Sequence, residues 1–290
     1  MNGIIIINKQ KNCTSHDIVH KIKKITKEKV GHTGTLDPMA QGVLPILIGK
    51  ATQCSKYLIN HNKTYNVELK LGIKTETADD EGKAIKQEEV KENILEEENI
   101  KKALESMIGK QEQIPPKYSA IKVNGKKLYE YARKGQEVEI KPRKIEIYKI
   151  ELIKINKKDK KIEFNVSCSK GTYIRSLCED IAEKLGTIGY MSNLIRLQVG
   201  EFSIENSITI ENIEKSNNPE EAIMKNLITI EQQFHYCENI ILNQKQLEQF
   251  LNGMKIKQDK KEGIYKIYNE NTFIGLGEIK EGKLKRDIII

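Results

Sequence analysis

The chain has 290 residues, a net charge of +8 at pH 7, 38% hydrophobic residues and 31% charged residues. This length suits one large domain or a large domain with a small one, and the positive charge favours a polyanionic partner. The five cysteines are odd in number and lack C-x-x-C spacing, which argues against a disulfide framework and a zinc site.

Hydrophobic periodicity predicts secondary structure along most of the chain. In chain order, the predicted elements are a strand at 3–8, a helix at 14–26, an apolar segment at 43–48, a half-buried strand at 64–71, a helix at 98–108, strands at 145–155 and 162–168, a helix at 172–185, a helix at 243–251 and a hairpin at 264–279. Strands that alternate with helices indicate an α/β or α+β fold.

Hydrophobicity falls around 216–219, which predicts a domain boundary within 215–240. We therefore expect a large domain at 1–230 and a smaller one at 231–290. The apolar run at 4–7 is too short for a signal peptide or a membrane span, so we expect a soluble, cytoplasmic protein with no membrane partner.

The segment Gly31-His32-Thr33-Gly34-Thr35-Leu36-Asp37-Pro38, here called the aspartate loop, places a carboxylate beside a proline. Another glycine, Gly42, follows shortly after it. Glycine permits positive φ, and proline fixes φ at about −65°. We interpret Asp37 as a catalytic carboxylate that this constrained backbone holds in one place. The alternative is a simple Asp-Pro turn in which the aspartate binds its own backbone.

Charge is distributed unevenly along the chain. Residues 117–144, here called the basic insertion, hold nine Lys or Arg and three Glu, a net charge of +6. Residues 76–105 hold eleven acidic residues and five Lys, a net charge of −6. We interpret the basic insertion as a phosphate-binding segment; the alternative is two solvated surfaces of opposite sign. Within it, Asn124-Gly125 predicts a hairpin turn.

Several segments resemble, in order along the chain, motifs of the TruB family of tRNA pseudouridine synthases. They are the aspartate loop, Lys63-Thr64-Tyr65, Pro116-Lys117-Tyr118-Ser119-Ala120-Ile121-Lys122, Leu128-Tyr129-Glu130-Tyr131-Ala132-Arg133, Ser169-Lys170-Gly171-Thr172-Tyr173-Ile174-Arg175 and Leu194-Ile195-Arg196-Leu197. The resemblance covers about 3–205. One segment departs from the family: Asn8-Lys9-Gln10-Lys11-Asn12 replaces Asp-Lys-Pro-x-Gly. The shape of this loop and the role of Lys9 are therefore open at the level of sequence.

The resemblance implies an α+β pseudouridine-synthase fold with a central mixed, largely antiparallel sheet and a small PUA-like, β-rich C-terminal domain. It implies isomerisation of uridine to pseudouridine in the T-arm loop of tRNA, at uridine 55. This reaction needs no cofactor, and we expect none. No metal is expected either, because His16 and His20 lack the Glu of the H-E-x-x-H pattern. We expect the protein to act as a monomer.

The resemblance also assigns catalytic residues. Asp37 would act on the ribose, either as a nucleophile at C1′ or as a base at C2′, with Arg175 as its cation. Tyr65 would stack on the uracil and offer its phenol as a base. On the residues alone, a core position for Tyr65 and a surface pair of Arg175 with Glu179 at i+4 are the more ordinary interpretations.

The remaining assignments concern substrate binding. By resemblance, Tyr173 and Leu194 line the uracil pocket, although Leu194 also suits a core position. His32 would lie where the target nucleotide leaves its stack, the alternative being a loop histidine without a role. Asp79 would contact RNA near that nucleotide, the alternative being an acidic surface loop. In the basic insertion, Lys126 and Lys127 would contact RNA phosphates.

Two other functional classes compete with the isomerase. A non-catalytic tRNA-binding or tRNA-folding protein needs none of Asp37, Tyr65 and Arg175, so their joint presence argues against it. A glycosidase-type hydrolase would use the same carboxylate but release the base.

Overall fold

The computed structural model describes all residues, 1–290. The strands are β1 (Gly3–Lys9), β2 (Val30–His32), β3 (Gln41–Ile48), β4 (Lys63–Leu71), β5 (Ile73–Thr75), β6 (Ala84–Gln87), β7 (Gly109–Gln113), β8 (Lys122–Val123), β9 (Lys126–Lys127), β10 (Arg143–Asn156), β11 (Lys161–Cys168), β12 (Gly189–Val199), β13 (Phe202–Ser203), β14 (Asn239–Ile241), β15 (Ile256–Lys257), β16 (Gly263–Asn269), β17 (Thr272–Lys280) and β18 (Lys283–Ile289). The helices are α1 (Ser15–Thr26), α2 (Ser55–Leu58), α3 (Glu97–Glu105), α4 (Leu128–Ala132), α5 (Ile174–Lys184), α6 (Ile210–Glu214), α7 (Pro219–Lys225), α8 (Ile230–Gln233) and α9 (Gln244–Leu251).

A nine-stranded sheet forms the centre of the molecule, with the order β1-β3-β12-β4-β11-β10-β7 and with β2 and β13 paired to β3 and β12. Its pairings are antiparallel except for β3 with β12. A mixed, largely antiparallel sheet with helices packed on it confirms the α+β prediction.

Most predicted elements lie within a few residues of their observed bounds. Helix α1 begins as predicted, because Thr14 accepts a hydrogen bond from the backbone N–H of Asp17 while the Asp17 carboxylate accepts one from Thr14. Strand β12 was not predicted, although it lies at the centre of the sheet. Two register shifts, at Met191/Asn193 and Arg196/Gln198, interrupt the alternation that would have revealed it.

Gly42 fixes the distance between the aspartate loop and β12. Its φ is +105°, and a Cβ atom there would stand 2.2 Å from the carbonyl oxygen of Arg196. Gly31 and Gly34 do not have positive φ, so the position that requires glycine in this part of the chain lies just after the aspartate loop.

We predict that Gly42→Ala lowers the free energy of unfolding by at least about 2 kcal/mol, because β3 and β12 would have to separate to admit the methyl group. Gly31→Ala is the matched control, since a Cβ atom at Gly31 meets no atom within 4 Å. Denaturant unfolding of both variants provides the measurement. Equal stabilities for the two would contradict this account of Gly42.

The C-terminal part forms a second sheet, with the order β14-β16-β17-β18-β15. It packs against the nine-stranded sheet through an apolar cluster that joins Ile4 and Val43 to Leu276 and Ile288. Asp287 adds polar contacts with Lys56 and Tyr57. The division at 230/231 falls within α8 and stays a prediction.

None of the helices is both long enough and apolar enough to cross a bilayer. No three His, Cys, Asp or Glu side chains cluster in a way that could hold a metal ion.

Candidate active site

A cavity of about 420 Å³ opens beside the centre of the large sheet. The aspartate loop, β4, the start of α5, β12 and the base of the basic insertion line it. The cavity brings together Asp37, Tyr65, Tyr173, Arg175 and Leu194 from distant parts of the sequence. A larger groove of about 1220 Å³ contains none of these five residues. The predicted catalytic residues therefore share one site, although not the largest depression on the protein.

Asp37 and Arg175 form an ion pair in this cavity. Arg175 Nε lies 3.1 Å from Asp37 Oδ2, and Arg175 Nη2 donates to Asp37 Oδ1 at 3.4 Å. The geometry is bidentate, which fixes the plane of the carboxylate as well as its position. The Arg175 side chain is 7% exposed, whereas that of Asp37 is 34% exposed through the cavity. Asp37 is thus the partner that a bound molecule can reach.

Arg175 uses its remaining donors on three neighbours. Nη1 donates to the carbonyl of Thr77 at 3.2 Å, and Nη2 donates to the carbonyl of Tyr118 at 3.0 Å. Nη1 also lies 3.5 Å from Asp79 Oδ2. Glu179 pairs instead with Lys74, so the alternative of a surface pair between Arg175 and Glu179 is wrong.

The electrostatics of Asp37 follow from this arrangement. Burial raises the pKa of the Asp37 carboxyl above its ordinary value, and the Arg175 guanidinium opposes the rise. The nearby Asp79 carboxylate adds to the rise in the Asp37 pKa. Arg175 therefore offsets part of the effect that burial has on the Asp37 pKa.

Two side chains of the N-terminal segment, Lys9 and Ser15, form hydrogen bonds with the backbone of the aspartate loop. Ser15 Oγ accepts from the backbone N–H of Leu36 at 2.8 Å and donates to its carbonyl at 3.1 Å. Lys9 is fully buried, and its Nζ donates to the carbonyls of Pro38, Cys13 and Gln10. These contacts answer the question left by the sequence, because Lys9 stabilises the loop that carries Asp37.

The N-terminal loop keeps the backbone shape that the family's glycine would provide. Asn12 stands at the position of that glycine and has φ +62°. Asparagine tolerates the left-handed region better than most residues. The Asn12 N–H also donates to the carbonyl of Pro38 at 3.0 Å. Asn12 therefore adopts a left-handed backbone without glycine and bonds this loop to the aspartate loop.

Tyr65 faces the cavity from β4, directly across from Arg196 on β12. Arg196 is fully buried, and its guanidinium donates to the carbonyls of Val43, Gly34 and Thr35. Burial raises the pKa of Tyr65 to about 12, against the opposing effect of the Arg196 charge. Tyr65 is thus buried, as the core interpretation required, and also lines the cavity.

Tyr173 and Leu194 complete the apolar wall of the cavity. Leu194 is buried on β12, and Tyr173 immediately precedes α5. The side chain of Gln113 holds the Tyr173 backbone: Nε2 donates to its carbonyl at 3.0 Å, and Oε1 accepts from its N–H at 2.8 Å. These bonds connect the end of β7, just before the basic insertion, to the segment that carries Arg175.

The structure places His32 and Asp79 at the edge of this arrangement. His32 is half-buried at the end of β2, and its Nδ1 accepts from the N–H of Gly34, which lines the cavity. Asp79 is only 3% exposed, so the acidic surface loop proposed as its alternative is wrong. Its carboxylate contacts Thr77 and Arg175. Contact of Asp79 with RNA stays a prediction, and the contacts observed are internal.

Lys126 and Lys127 form β9, which pairs with β8 in the hairpin that Asn124-Gly125 predicted. Lys126 is exposed. The Lys127 ammonium lies over the Tyr129 ring, 5.4 Å from its centroid. Tyr129 itself lines the cavity, so the basic insertion reaches the site from outside the sheet.

The sequence analysis assigned no role in the site to three residues that support it: Lys9, Gln113 and Arg196. A buried lysine or glutamine has no periodic signal, since these residue types are mostly exposed. Arg196 did have a periodic signal. It lies two positions after Leu194, so a strand in this segment places the two side chains on the same face.

Three family models match the chain, the second and third over partly overlapping ranges. The model described as TruB family pseudouridylate synthase, N terminal domain, matches residues 22–174. The model described as tRNA pseudouridylate synthase B C-terminal domain matches residues 175–252. A third, described as Pseudouridine synthase II TruB, C-terminal, matches residues 239–286. Together they span most of the chain.

Curated proteins and solved structures agree with these matches. The chain is 48% identical to tRNA pseudouridine synthase B of Clostridium tetani over 97% of both chains, and 41% identical to that of Aquifex aeolicus over 98% of both. Among solved structures, a Cbf5–Nop10–Gar1 complex aligns with a TM-score of 0.69 and 25% identity, covering 99% of this chain and 83% of the other. The similarity therefore extends over nearly the whole length.

Proposed function

Because the chain belongs to the TruB family of pseudouridine synthases, we propose that it isomerises uridine to pseudouridine in the T-arm loop of tRNA, at uridine 55. The observation that supports this most directly is the Asp37–Arg175 ion pair, whose carboxylate faces a cavity that Tyr65 and Leu194 also line. All of these residues come from one chain, which fits a monomeric enzyme.

The reaction moves the glycosidic bond within one nucleotide. The bond between N1 and C1′ breaks, the uracil turns, C5 bonds to C1′, the C5 proton leaves and N1 gains a proton. The ribose must be activated without loss of the base to water. A charged carboxylate beneath the sugar and a closed apolar wall around the uracil provide these two conditions.

Asp37 has two roles that fit its position. As a nucleophile, a carboxylate oxygen of Asp37 attacks C1′. As a base, the same carboxylate removes the proton at C2′. Both roles need the charged carboxylate, which the Arg175 guanidinium favours. Deuterium at C2′ separates them, because only proton removal from that carbon would slow the labelled substrate.

Tyr65 combines a ring that can stack on uracil with a phenolic oxygen that can accept the C5 proton once its own proton has left. With a pKa of about 12, its phenol is neutral in the resting enzyme. The buried Arg196 guanidinium, which favours the phenolate, lies across from it. Leu194 and Tyr173 hold the ring of the uracil from the other walls.

The target nucleotide must leave its stack to reach Asp37, which costs a few kcal/mol. We assign His32 to the side of the aspartate loop that faces the gap left in the RNA stack by the extruded nucleotide. We assign the basic insertion to the phosphates of the T arm. Recognition of this kind depends on shape and phosphate position rather than on base edges.

The experiment that tests the function uses a T-arm hairpin RNA with tritium at C5 of the target uridine. Release of tritium, with the mass of the RNA otherwise unchanged, is the expected result. A free base would identify a hydrolase, and binding without release would identify the non-catalytic alternative. Either of these results would overturn the proposal.

Lys126→Glu/Lys127→Glu should weaken RNA binding about tenfold or more at low salt and reduce the dependence of Kd on salt, because phosphate contacts release counterions. The single-turnover rate at saturating enzyme should stay near that of the unmodified protein, since neither lysine lines the cavity. Lys101→Glu/Lys102→Glu on α3 makes the same charge change elsewhere and serves as the control. A lower saturating rate with unchanged Kd would contradict the assignment.

Asp79→Asn should move the acidic limb of the pH–rate profile to lower pH. The rate falls as pH drops through the pKa of Asp37, because only the carboxylate acts on the ribose. Asp79 raises that pKa, so removing its charge lowers it. Single-turnover tritium release measured at pH 4 to 8 gives the position of the limb. A shift toward higher pH would show that Asp79 acts in another way.

A further inference from the structure

Lys63 lines the cavity, and none of the roles proposed above uses its ammonium group. It begins β4 two positions before Tyr65, so the two side chains lie on the same strand face. Its Cε lies 3.8 Å, and Arg196 Nη1 3.6 Å, from the point where a Cβ atom of Gly34 would stand. The Lys63 side chain therefore extends from the sheet to the aspartate loop.

The ammonium of Lys63 has few partners. Its Nζ donates to the carbonyl of His61 at 2.6 Å and forms no ion pair with a carboxylate. The charged groups that face it are two cations, Arg196 and Lys170. An ammonium has three N–H donors, so two are left for a bound molecule. Burial, together with these cations, lowers the pKa of Lys63 to about 8. The arrangement favours an anion as the missing partner.

We propose that Lys63 binds a backbone phosphate adjacent to the extruded uridine. This inference rests on the proposed function, because it takes the cavity to hold a nucleotide of RNA. Asp37 accounts for the sugar and Tyr65 for the base of that nucleotide. The phosphodiester is the remaining part of that nucleotide. It carries the negative charge that would pair with the Lys63 ammonium. Lys63 would then fix the distance between the backbone and the carboxylate.

A neutral acceptor fits the position less well than a phosphate. A uracil oxygen would accept one hydrogen bond but would not balance the positive charge that Lys63, Arg196 and Lys170 bring together. A phosphate oxygen accepts a charge-assisted bond and also balances that charge. Bonding to the His61 carbonyl alone would make Lys63 a structural residue, and the test separates this role from phosphate binding.

The test measures Kd for T-arm hairpins in which a methylphosphonate removes the charge 5′ or 3′ of the target uridine. We expect Lys63→Met to weaken binding of the unmodified hairpin about tenfold, or 1.4 kcal/mol. One of the two methylphosphonates should weaken binding to the unmodified protein by a similar factor. That methylphosphonate should have no further effect on Lys63→Met. If the factors multiply at both positions, Lys63 does not bind either phosphate.

Two variants serve as controls. Lys63→Arg keeps the charge and should keep its sensitivity to the methylphosphonate, which makes the test independent of whether Lys63→Met folds well. Lys170→Met removes an exposed charge outside the cavity and should also keep that sensitivity. Loss of the sensitivity in Lys170→Met instead would move the contact to the rim and overturn the proposal. Since Kd needs no turnover, failure of tritium release would refute the proposed function separately.

Discussion

Asp37→Asn will release no measurable tritium from a C5-labelled T-arm RNA, a loss of roughly 10³-fold or more in single-turnover rate. The amide has the shape of the carboxylate but neither its nucleophilicity nor its basicity. One oxygen remains to accept from Arg175, so the cavity should keep its form. RNA binding is therefore expected to stay within a few fold of that of the unmodified protein.

The stability of this variant distinguishes lost chemistry from lost structure. Burial raises the pKa of Asp37, which means that the fold disfavours the charged form at neutral pH. A neutral amide should therefore leave the melting temperature unchanged or raise it. Asp80→Asn, on an exposed residue of the neighbouring loop, is the matched control and should retain full activity. Near-normal turnover by Asp37→Asn would show that another group acts on the ribose.

Arg175→Met should reduce both activity and stability, for one physical reason. The change leaves the carboxylates of Asp37 and Asp79 facing each other without their shared cation. The pKa of Asp37 then rises further, because Arg175 is the group that lowers it. We expect a rate loss of about 10²- to 10³-fold and a decrease of roughly 3 kcal/mol in the free energy of unfolding.

A second change separates the two effects. Arg175→Met/Asp79→Asn removes one of the stranded carboxylates and should regain part of the stability, while activity should stay low because Asp37 still lacks its cation. Arg143→Met, on an exposed arginine of β10, should unfold like the unmodified protein. Denaturant unfolding and single-turnover tritium release measure the two quantities. If Arg175→Met by itself were as stable as the unmodified protein, the charges of Arg175, Asp37 and Asp79 would not be coupled.

Local sequence patterns were reliable where one physical requirement acted alone. Apolar periodicity predicted α1, and strict alternation predicted β4. Strand β12 was missed because its two register shifts break the alternation, and the sequence alone did not distinguish the positive φ of Gly42 from the ordinary backbone of Gly31 and Gly34. These features depend on the elements that pack against the segment. The sequence of the segment itself carries no information about those elements.

The resemblance on the sequence brought Asp37, Tyr65 and Arg175 into one hypothesis, and the tertiary structure decided how they meet. Arg175 had two available partners, Glu179 one turn away and Asp37 far along the chain. Burial of the first turn of α5 against the aspartate loop selected Asp37.

The amino-acid sequence by itself determined the α+β class, most helices and strands, and the family. Only the tertiary structure placed Lys9, Gln113 and Arg196 around the cavity, because the value of a buried polar side chain depends on the carbonyls and charges that distant segments bring to it.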